Sequence, residues 1–180
     1  MTLNLESCSI EEACTSLGGS VKLLIELQDR LQDWLKLQPH LPQDVTRKTL
    51  EYFILGSKMS LEQAKQKLDM FYTVKRIVPE LFEDRDPRGS RFTCLHKMIE
   101  TVYLPKLTRE KYRVFIMRPY VDDYSKLDAY DSFKYTLMME DILMAESRSL
   151  GSIFVFDHSK ATFGFLAKYT PTMIRKSEVT

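Results

Sequence analysis

The sequence predicts an α/β fold organised around a βαβ unit, and three stretches indicate this. Residues 153–156, Ile-Phe-Val-Phe, form an apolar run bounded by Gly151 and Asp157, which is typical of a strand buried on both faces. Such strands belong to parallel sheets, and parallel neighbours need a helical crossover. The apolar pattern over 128–149 supplies that helix, and residues 112–118 supply the preceding strand. We therefore expect a mostly parallel sheet.

The chain before this unit begins with a polar stretch. Residues 1–19 end in two glycines and predict a loose N-terminal arm. From Ser20, leucines recur at steps of three and four residues, which predicts an amphipathic helix that ends at Pro39.

Two more helices complete a predicted N-terminal lobe over residues 20–82. One spans 44–55, where apolar residues again recur at helical spacing. The next begins at the N-cap Ser60, with Gln63 three positions on as a capping box, and ends at Pro79.

The second half predicts a separate α/β domain over residues 91–180. The turn-rich segment 83–90 predicts a linker between the two parts. A short helix over 92–103 is expected to follow it, ended by Pro105. After the central strand, residues 163–175 predict one more helix.

Composition excludes several classes of function. The 180 residues carry 26 basic and 25 acidic side chains, whereas a general nucleic-acid binder shows a clear basic excess. Cys8, Cys14 and Cys94 are odd in number and scattered, which indicates free thiols in a reducing compartment. No transmembrane segment or signal peptide is predicted, so we expect a cytoplasmic protein.

No enzyme activity, cofactor or metal is predicted. Asp157, His158 and Ser159 are adjacent in an extended segment, so their side chains diverge and do not form a catalytic triad. Cys94 and His96 match no standard zinc-ligand spacing. A nucleophile elbow and a P-loop are also absent from the sequence.

Two features allow a functional interpretation beside a structural one. The aromatic and methionine side chains of the βαβ unit fit a plain core or an adaptable apolar pocket. Basic side chains of the N-terminal lobe fit a solvated helix face or a dock for anionic lipid headgroups. These basic residues are Arg47, Lys48, Lys58, Lys65, Lys67, Lys75 and Arg76.

Several short motifs, in order, resemble the CRAL-TRIO family of lipid-transfer proteins, in particular insect-type members of the branch with alpha-tocopherol transfer protein and cellular retinaldehyde-binding protein. In the N-terminal lobe they are Trp-Leu-x-x-Gln-Pro-His-Leu-Pro at 34–42, Phe-Ile-Leu-Gly-Ser-Lys at 53–58, Ala-Lys-x-Lys-Leu-Asp-x-Phe-Tyr at 64–72, Pro-Glu-Leu-Phe at 79–82 and Arg-Asp-Pro at 85–87. In the second half they are Ala-Tyr-Asp-x-Phe at 129–133, the strand through Phe156, and Thr170-Pro171.

The resemblance implies binding and intracellular transfer of a small hydrophobic molecule, whether tocopherol-like, retinoid or phospholipid, without chemistry on it. It also implies docking on membranes that contain phosphatidylinositol bisphosphate, hence peripheral membrane association. The implied lipid contacts are Phe133, Thr136, Leu137, Phe154, Phe156, Phe163 and Tyr169. The implied headgroup contacts are Arg47, Lys48, Lys58 and Lys65.

Three departures from the family pattern favour an alternative. Leu55 replaces the arginine of a Phe-Leu-Arg motif, and Glu140 places a carboxylate where an apolar cavity is expected. The family domain also continues beyond Thr-Pro, so a chain ending at Thr180 is expected to be a truncated isoform or a fragment. The alternative is an interaction or regulatory module that encloses no lipid. The truncation should leave the sheet with an unpaired edge and the wall residues Phe133, Phe154 and Phe156 partly open to solvent.

Overall fold

The computed structural model describes residues 5–171, in which helices and one small sheet form an α+β fold. The helices are α1 (Ile10–Ser16), α2 (Val21–Lys36), α3 (Arg47–Gly56), α4 (Leu61–Ile77), α5 (Ser90–Leu95), α6 (Ala129–Glu146) and α7 (Phe163–Leu166), with a 3₁₀ helix at Pro79–Leu81. The strands are β1 (Ile99–Leu107), β2 (Tyr112–Pro119) and β3 (Gly151–Phe156). The predicted helix over 163–175 is wrong for residues 167–170, because α7 ends at Leu166 in a turn, and its part after residue 171 lies outside the described residues.

The predicted βαβ unit is present. Strands β2 and β3 pair in parallel, with Phe115 opposite Phe154, and α6 connects them. The sheet has the order β1-β2-β3, and its other pair, β1 with β2, is antiparallel. The expectation of a mostly parallel sheet is therefore not met, since one of the two pairings is antiparallel.

Strand β1 corrects the prediction of a helix over 92–103. Helix α5 ends at Leu95, and residues from Ile99 onward pair with β2, with Tyr103 opposite Phe115. Thr101, Val102 and Tyr103 are β-branched or aromatic, and such residues fit a pleated surface better than a helix. Residues 99–107 form a strand because they pair with β2, which follows them in the chain.

Strand β3 also differs from its prediction. It lies at the sheet's edge, and the side chains of its residues 153–156 are 40% to 50% exposed. The expectation of burial on both faces is wrong, because in the described part of the chain no layer covers either face of β3 closely. The expectation of an unpaired edge, with Phe133, Phe154 and Phe156 partly open to solvent, is confirmed within residues 5–171.

The N-terminal segment is packed, which corrects the prediction of a loose arm over 1–19. Ser9 caps α1 by accepting a hydrogen bond from the Glu12 amide, and Ala13 and Cys14 are fully buried. Glu6 donates its backbone N–H to the Pro105 carbonyl at 2.8 Å. The small side chains of Ala13 and Cys14 let this short helix pack closely on the helical core. The polar composition of residues 1–19 gave no indication of this packing.

Helices α2, α3 and α4 with the 3₁₀ helix form the helical unit, residues 21–81, much as the sequence predicts. Ser20, Thr46 and Ser60 are the N-caps, and Ser60 accepts from the Gln63 amide at 3.5 Å. Its core consists chiefly of the buried side chains Leu24, Leu27, Leu31, Leu35, Leu50, Ile54, Ala64 and Leu68. The division of the chain into domains 20–82 and 91–180, with a linker at 83–90, stays a prediction.

Two leucines associated with α2 test this core. Leu31 is 0% exposed and Leu37, just past the helix, is 76% exposed. We expect Leu31→Ala to lower the free energy of unfolding by about 2–5 kcal/mol, because it opens a cavity in the core. The control Leu37→Ala should change it by less than about 0.5 kcal/mol. Urea denaturation measures both, and equal effects would contradict the described core.

Candidate functional site

A groove of about 600 Å³ lies between the helical unit and α6. From the helical unit it is lined by Tyr52, Phe53, Gly56, Lys67, Met70 and Phe71. The opposite wall includes Phe133, Thr136, Leu137, Glu140 and Met144 of α6, together with Phe154 of β3. Most of these side chains are apolar, so the groove suits an apolar surface of a ligand or partner.

An aromatic cluster shapes the helical side of this groove. The rings of Phe53 and Phe71 lie 5.4 Å apart, edge to face, and Phe71 contacts Tyr72 in the same way at 5.1 Å. The ammonium group of Lys75 lies 4.2 Å from the centre of the Phe71 ring. Edge-to-face pairs and cation–π contacts hold the rings in defined orientations. This wall is therefore preorganised rather than adaptable.

Charged side chains near the groove pair with one another, although Nε and Nη2 of Arg85 are buried without a hydrogen-bond partner. Arg85 donates to Asp141 at 2.7 Å, and Lys75 lies 3.8 Å from the same carboxylate. Desolvation lowers the pKa of Lys75, although Asp141 opposes the shift. The groove thus presents an apolar surface edged by paired ions.

Glu140 is the polar group deepest in the groove wall, and the structure supplies its partner. The Tyr103 hydroxyl of β1 donates a hydrogen bond to the Glu140 carboxylate. Burial raises the pKa of Glu140 despite this hydrogen bond, and burial followed by the Glu140 charge raises the pKa of Tyr103. Burial also raises the pKa of Tyr52 to about 12. The carboxylate therefore binds a residue of this chain, a pairing that the sequence did not indicate.

The structure brings together four of the seven residues assigned to lipid contact. Phe133, Thr136, Leu137 and Phe154 line the groove. The other three lie elsewhere: Phe156 is 50% exposed, Phe163 is 86% exposed, and Tyr169 donates a hydrogen bond to Ser132 at 3.3 Å. Phe154 and Phe156 point to the same side of β3, as the strand period predicts, and their rings stack 6.4 Å apart. The exposure of Phe156 contradicts its assignment to the wall of a closed pocket.

The four residues assigned to headgroup contact do not form a cluster of free charges. Arg47 pairs with Asp29 at 2.5 Å, Lys48 with Glu51 at 2.8 Å, and Lys65 with Glu62 at 2.7 Å. Each partner carboxylate offsets the positive charge that would attract an anionic surface. Lys58 lies in the turn after α3, with a positive φ of 52°.

The residues considered for catalysis or metal binding are spread apart. Asp157 accepts a hydrogen bond from the Ser159 amide at 2.9 Å, which is a local turn contact. The His158 ring stacks on Phe156 with centres 6.3 Å apart. Across residues 5–171 no group of three or more His, Cys, Asp or Glu side chains is placed to hold a metal ion. Nor does this part of the chain contain a helix long and apolar enough to cross a membrane.

Comparison with known proteins identifies one similarity. A family model described as "Pinta-like, UBA domain" matches residues 25–92. The matched segment contains most of α2, all of α3 and α4, and the 3₁₀ helix, so it falls on the helical unit. No curated protein matches the chain.

This match corrects the family assignment drawn from the sequence. Five of the motifs taken as CRAL-TRIO features, from 34–42 to 85–87, lie inside the segment that matches a UBA domain instead. The assignment to the CRAL-TRIO family is wrong, and so are the functions drawn from it: lipid transfer, a small hydrophobic ligand and docking on phosphoinositide membranes. The motifs were short, and helical lobes of unrelated families share such spacing.

Sequence reasoning missed half of the groove. Tyr52, Met70 and Phe82 line it, and none of them was assigned to a site. A signal was present for Met70, which is 53% exposed on α4 while Leu68 and Val74 are buried. A large apolar side chain on the polar face of an amphipathic helix indicates a contact surface when neighbours support it.

Glu140 gives a prediction for the pH dependence of stability. Its folded-state pKa lies above the ordinary value of 4.5, so the folded chain retains a proton that the unfolded chain releases. The free energy of unfolding should therefore fall as pH rises from about 4.5 through the folded pKa. Glu140→Gln removes this titration while keeping the side chain's shape, and should make the decline shallower. Denaturation series between these pH values measure the slope.

The matched control is Glu110→Gln, which changes an exposed residue in the β1–β2 turn. In this variant the free energy of unfolding should fall with pH as steeply as it does in the wild-type chain. If Glu140→Gln also left the slope unchanged, the burial of an ionisable Glu140 would be refuted.

Proposed function

We propose that this chain is a protein-interaction module whose helical unit binds a partner protein, with ubiquitin as the first partner to test. The observation that carries the proposal is the similarity of residues 25–92 to a Pinta-like UBA domain. UBA domains are small helical domains that bind ubiquitin or other proteins. This agrees with the alternative drawn from the sequence, an interaction module that encloses no lipid.

The packing of the helical unit supports this proposal. Its three main helices bury their leucines against one another, so its stability does not depend on filling the groove. A binding surface can then consist of the side chains that the core leaves exposed. On the matched segment the large exposed apolar side chains are Ile25, Leu37, Tyr52, Met70 and Ile77.

The groove is the best-formed part of that surface. Tyr52 and Met70 both line it, one from α3 and one from α4. Exposed apolar side chains grouped in a groove mark sites of protein contact more often than scattered ones do. Aromatic and methionine side chains are also enriched in the buried centres of protein interfaces. We infer that the partner inserts an apolar surface between α4 and α6.

The proposal includes no catalysis. The local roles of Asp157 and the stacked His158 support this, because neither side chain is directed toward the groove lining. We also propose that the chain functions in the cytoplasm. The free thiols of Cys8, Cys14 and Cys94 support that location.

Paired substitutions test the groove. Met70→Asp places a charge in it and should weaken binding of ubiquitin to the 180-residue chain by about 30-fold, the effect expected for a central contact. The control Leu37→Asp changes the most exposed apolar side chain of the matched segment, outside the groove lining, and should alter affinity by less than about threefold. Calorimetric titration with monomeric ubiquitin measures both.

Two outcomes would contradict the proposal. Loss of binding in Leu37→Asp with unchanged binding in Met70→Asp would show that the partner does not use the groove. Absence of any ubiquitin binding by the wild-type chain would rule out ubiquitin as the partner.

A further inference from the structure

The two edges of the sheet are built differently. The outer edge of β1 carries Pro105 and Lys106, and its register with β2 shifts between Tyr103 and Leu107. The N-terminal segment also covers this edge, since the Leu107 amide donates to the Glu6 carboxylate at 3.0 Å. Proline, lysine, irregular register and a covering segment are the features with which proteins prevent pairing at an edge strand.

Within residues 5–171, strand β3 has none of these protections. Its sequence Gly-Ser-Ile-Phe-Val-Phe contains no charge and no proline, and all six residues pair with β2 in an uninterrupted register. No strand pairs with its outer edge in the described part of the chain. An uncharged, regular and apolar edge strand is a template for a further strand.

We propose that β3 pairs with β3 of a second copy of this chain, antiparallel and about a two-fold axis at Phe154. The sequence of β3 is complementary to itself in this arrangement. Residues directly opposite each other in an antiparallel pair share a face. With Phe154 opposite Phe154 of the second copy, Ile153 of each copy lies opposite Val155 of the other. Aliphatic side chains thus meet on one face, while Phe154 meets its copy on the other.

Charge favours the antiparallel direction. Parallel pairing in register would place the two Asp157 carboxylates next to each other, where like charges repel. Antiparallel pairing moves them to opposite ends of the interface, each opposite an uncharged Gly151. The chain's net charge of +1 adds little long-range repulsion between copies.

The small size of this interface limits the affinity of the two copies for each other. One six-residue strand pair lies at the low end of interface sizes, below the roughly 1,200 Å² of a standard complex. We therefore expect a monomer–dimer equilibrium with a dissociation constant of about 10–100 µM rather than a permanent dimer. The self-association uses the outer edge of β3, whereas partner binding uses the groove, and Phe154 is the residue that both surfaces share.

Sedimentation velocity of the full chain over increasing concentration tests the proposal. The informative variant is Val155→Lys, and the control is Val102→Lys. Val155 and Val102 are 42% and 45% exposed, and they lie in one row across the same sheet face, on opposite edges. Lysine at 155 should raise the dimer dissociation constant at least about tenfold, as edge lysines do, whereas lysine at 102 should change it by less than about twofold.

A wild-type chain that stays monomeric at about 200 µM would overturn the proposal, because even a weak strand pair should be populated there. Equal loss of association in both variants would also overturn it, since that result indicates packing of sheet faces rather than pairing of edges. Far-ultraviolet circular dichroism checks that both variants remain folded.

Cysteine substitution tests the register. In a Cys94→Ser background, which leaves the buried Cys8 and Cys14, Phe154→Cys should form an intermolecular disulfide on mild oxidation. Val155→Cys should not, because position 155 then lies diagonally from its own copy, about 7–8 Å away, beyond disulfide reach. A disulfide at 155 and none at 154 would overturn the proposed axis.

Discussion

Two arginines, Arg113, which is buried, and Arg148, which is partly buried, hold the parts of this chain together. Arg148, just after α6, donates to Glu51 of α3 and to the Cys8 carbonyl at 2.8 and 2.9 Å. Arg113 of β2 is 1% exposed and donates to the carbonyls of Leu104 and Pro105, each at 2.8 Å. The acceptors for these two guanidinium groups come from different elements, although the buried Nε of Arg113 has no hydrogen-bond partner. The helical unit, the N-terminal segment and the sheet are thus fixed relative to one another.

These polar contacts also explain why the groove stays open. Its two walls are held together by ion pairs rather than by apolar side chains packed between them. Glu51 anchors the middle of α3 to the end of α6, and Arg85 joins the segment after the 3₁₀ helix to Asp141 of α6. The two walls are therefore held by ion pairs at both ends. Tyr103 and Glu140 add a third link, from β1 to α6. Between these links the apolar side chains of α4 and α6 remain available to a partner.

The parts of the fold that depend on local signals could be predicted from the sequence. Helices α2, α3 and α4 have N-cap residues and apolar periodicity, and the predicted βαβ unit follows from one apolar run and one long helix. Strand β1 was missed because its structure depends on pairing with β2, a contact that local pattern does not contain. The same limit applies to β3, since an apolar run shows that burial would be favourable but not that any element supplies it.

Only part of the candidate site could be predicted, because the groove, like strand β1, depends on contacts between residues far apart in the chain. The α6 residues Phe133, Thr136 and Leu137 were assigned to a binding surface and do line the groove, whereas Met70 and Tyr52 were not. A groove between two units depends on how they dock, and the docking depends on Arg148 and Glu51, which are 97 positions apart. No local pattern relates such residues. Short motifs gave the wrong family because each of them reports only the local structure of a few residues, which does not define a family.

The two surfaces of this chain have one residue in common. Phe154 lines the groove and is the centre of the proposed β3 pair. Its ring lies 5.5 Å from Phe115, so both surfaces contact the same buried aromatic side chain of β2. Occupation of the groove and pairing of β3 therefore act on a single side chain. If each favours a particular orientation of that ring, the two binding events are linked, and by thermodynamic reciprocity each changes the affinity of the other by the same factor.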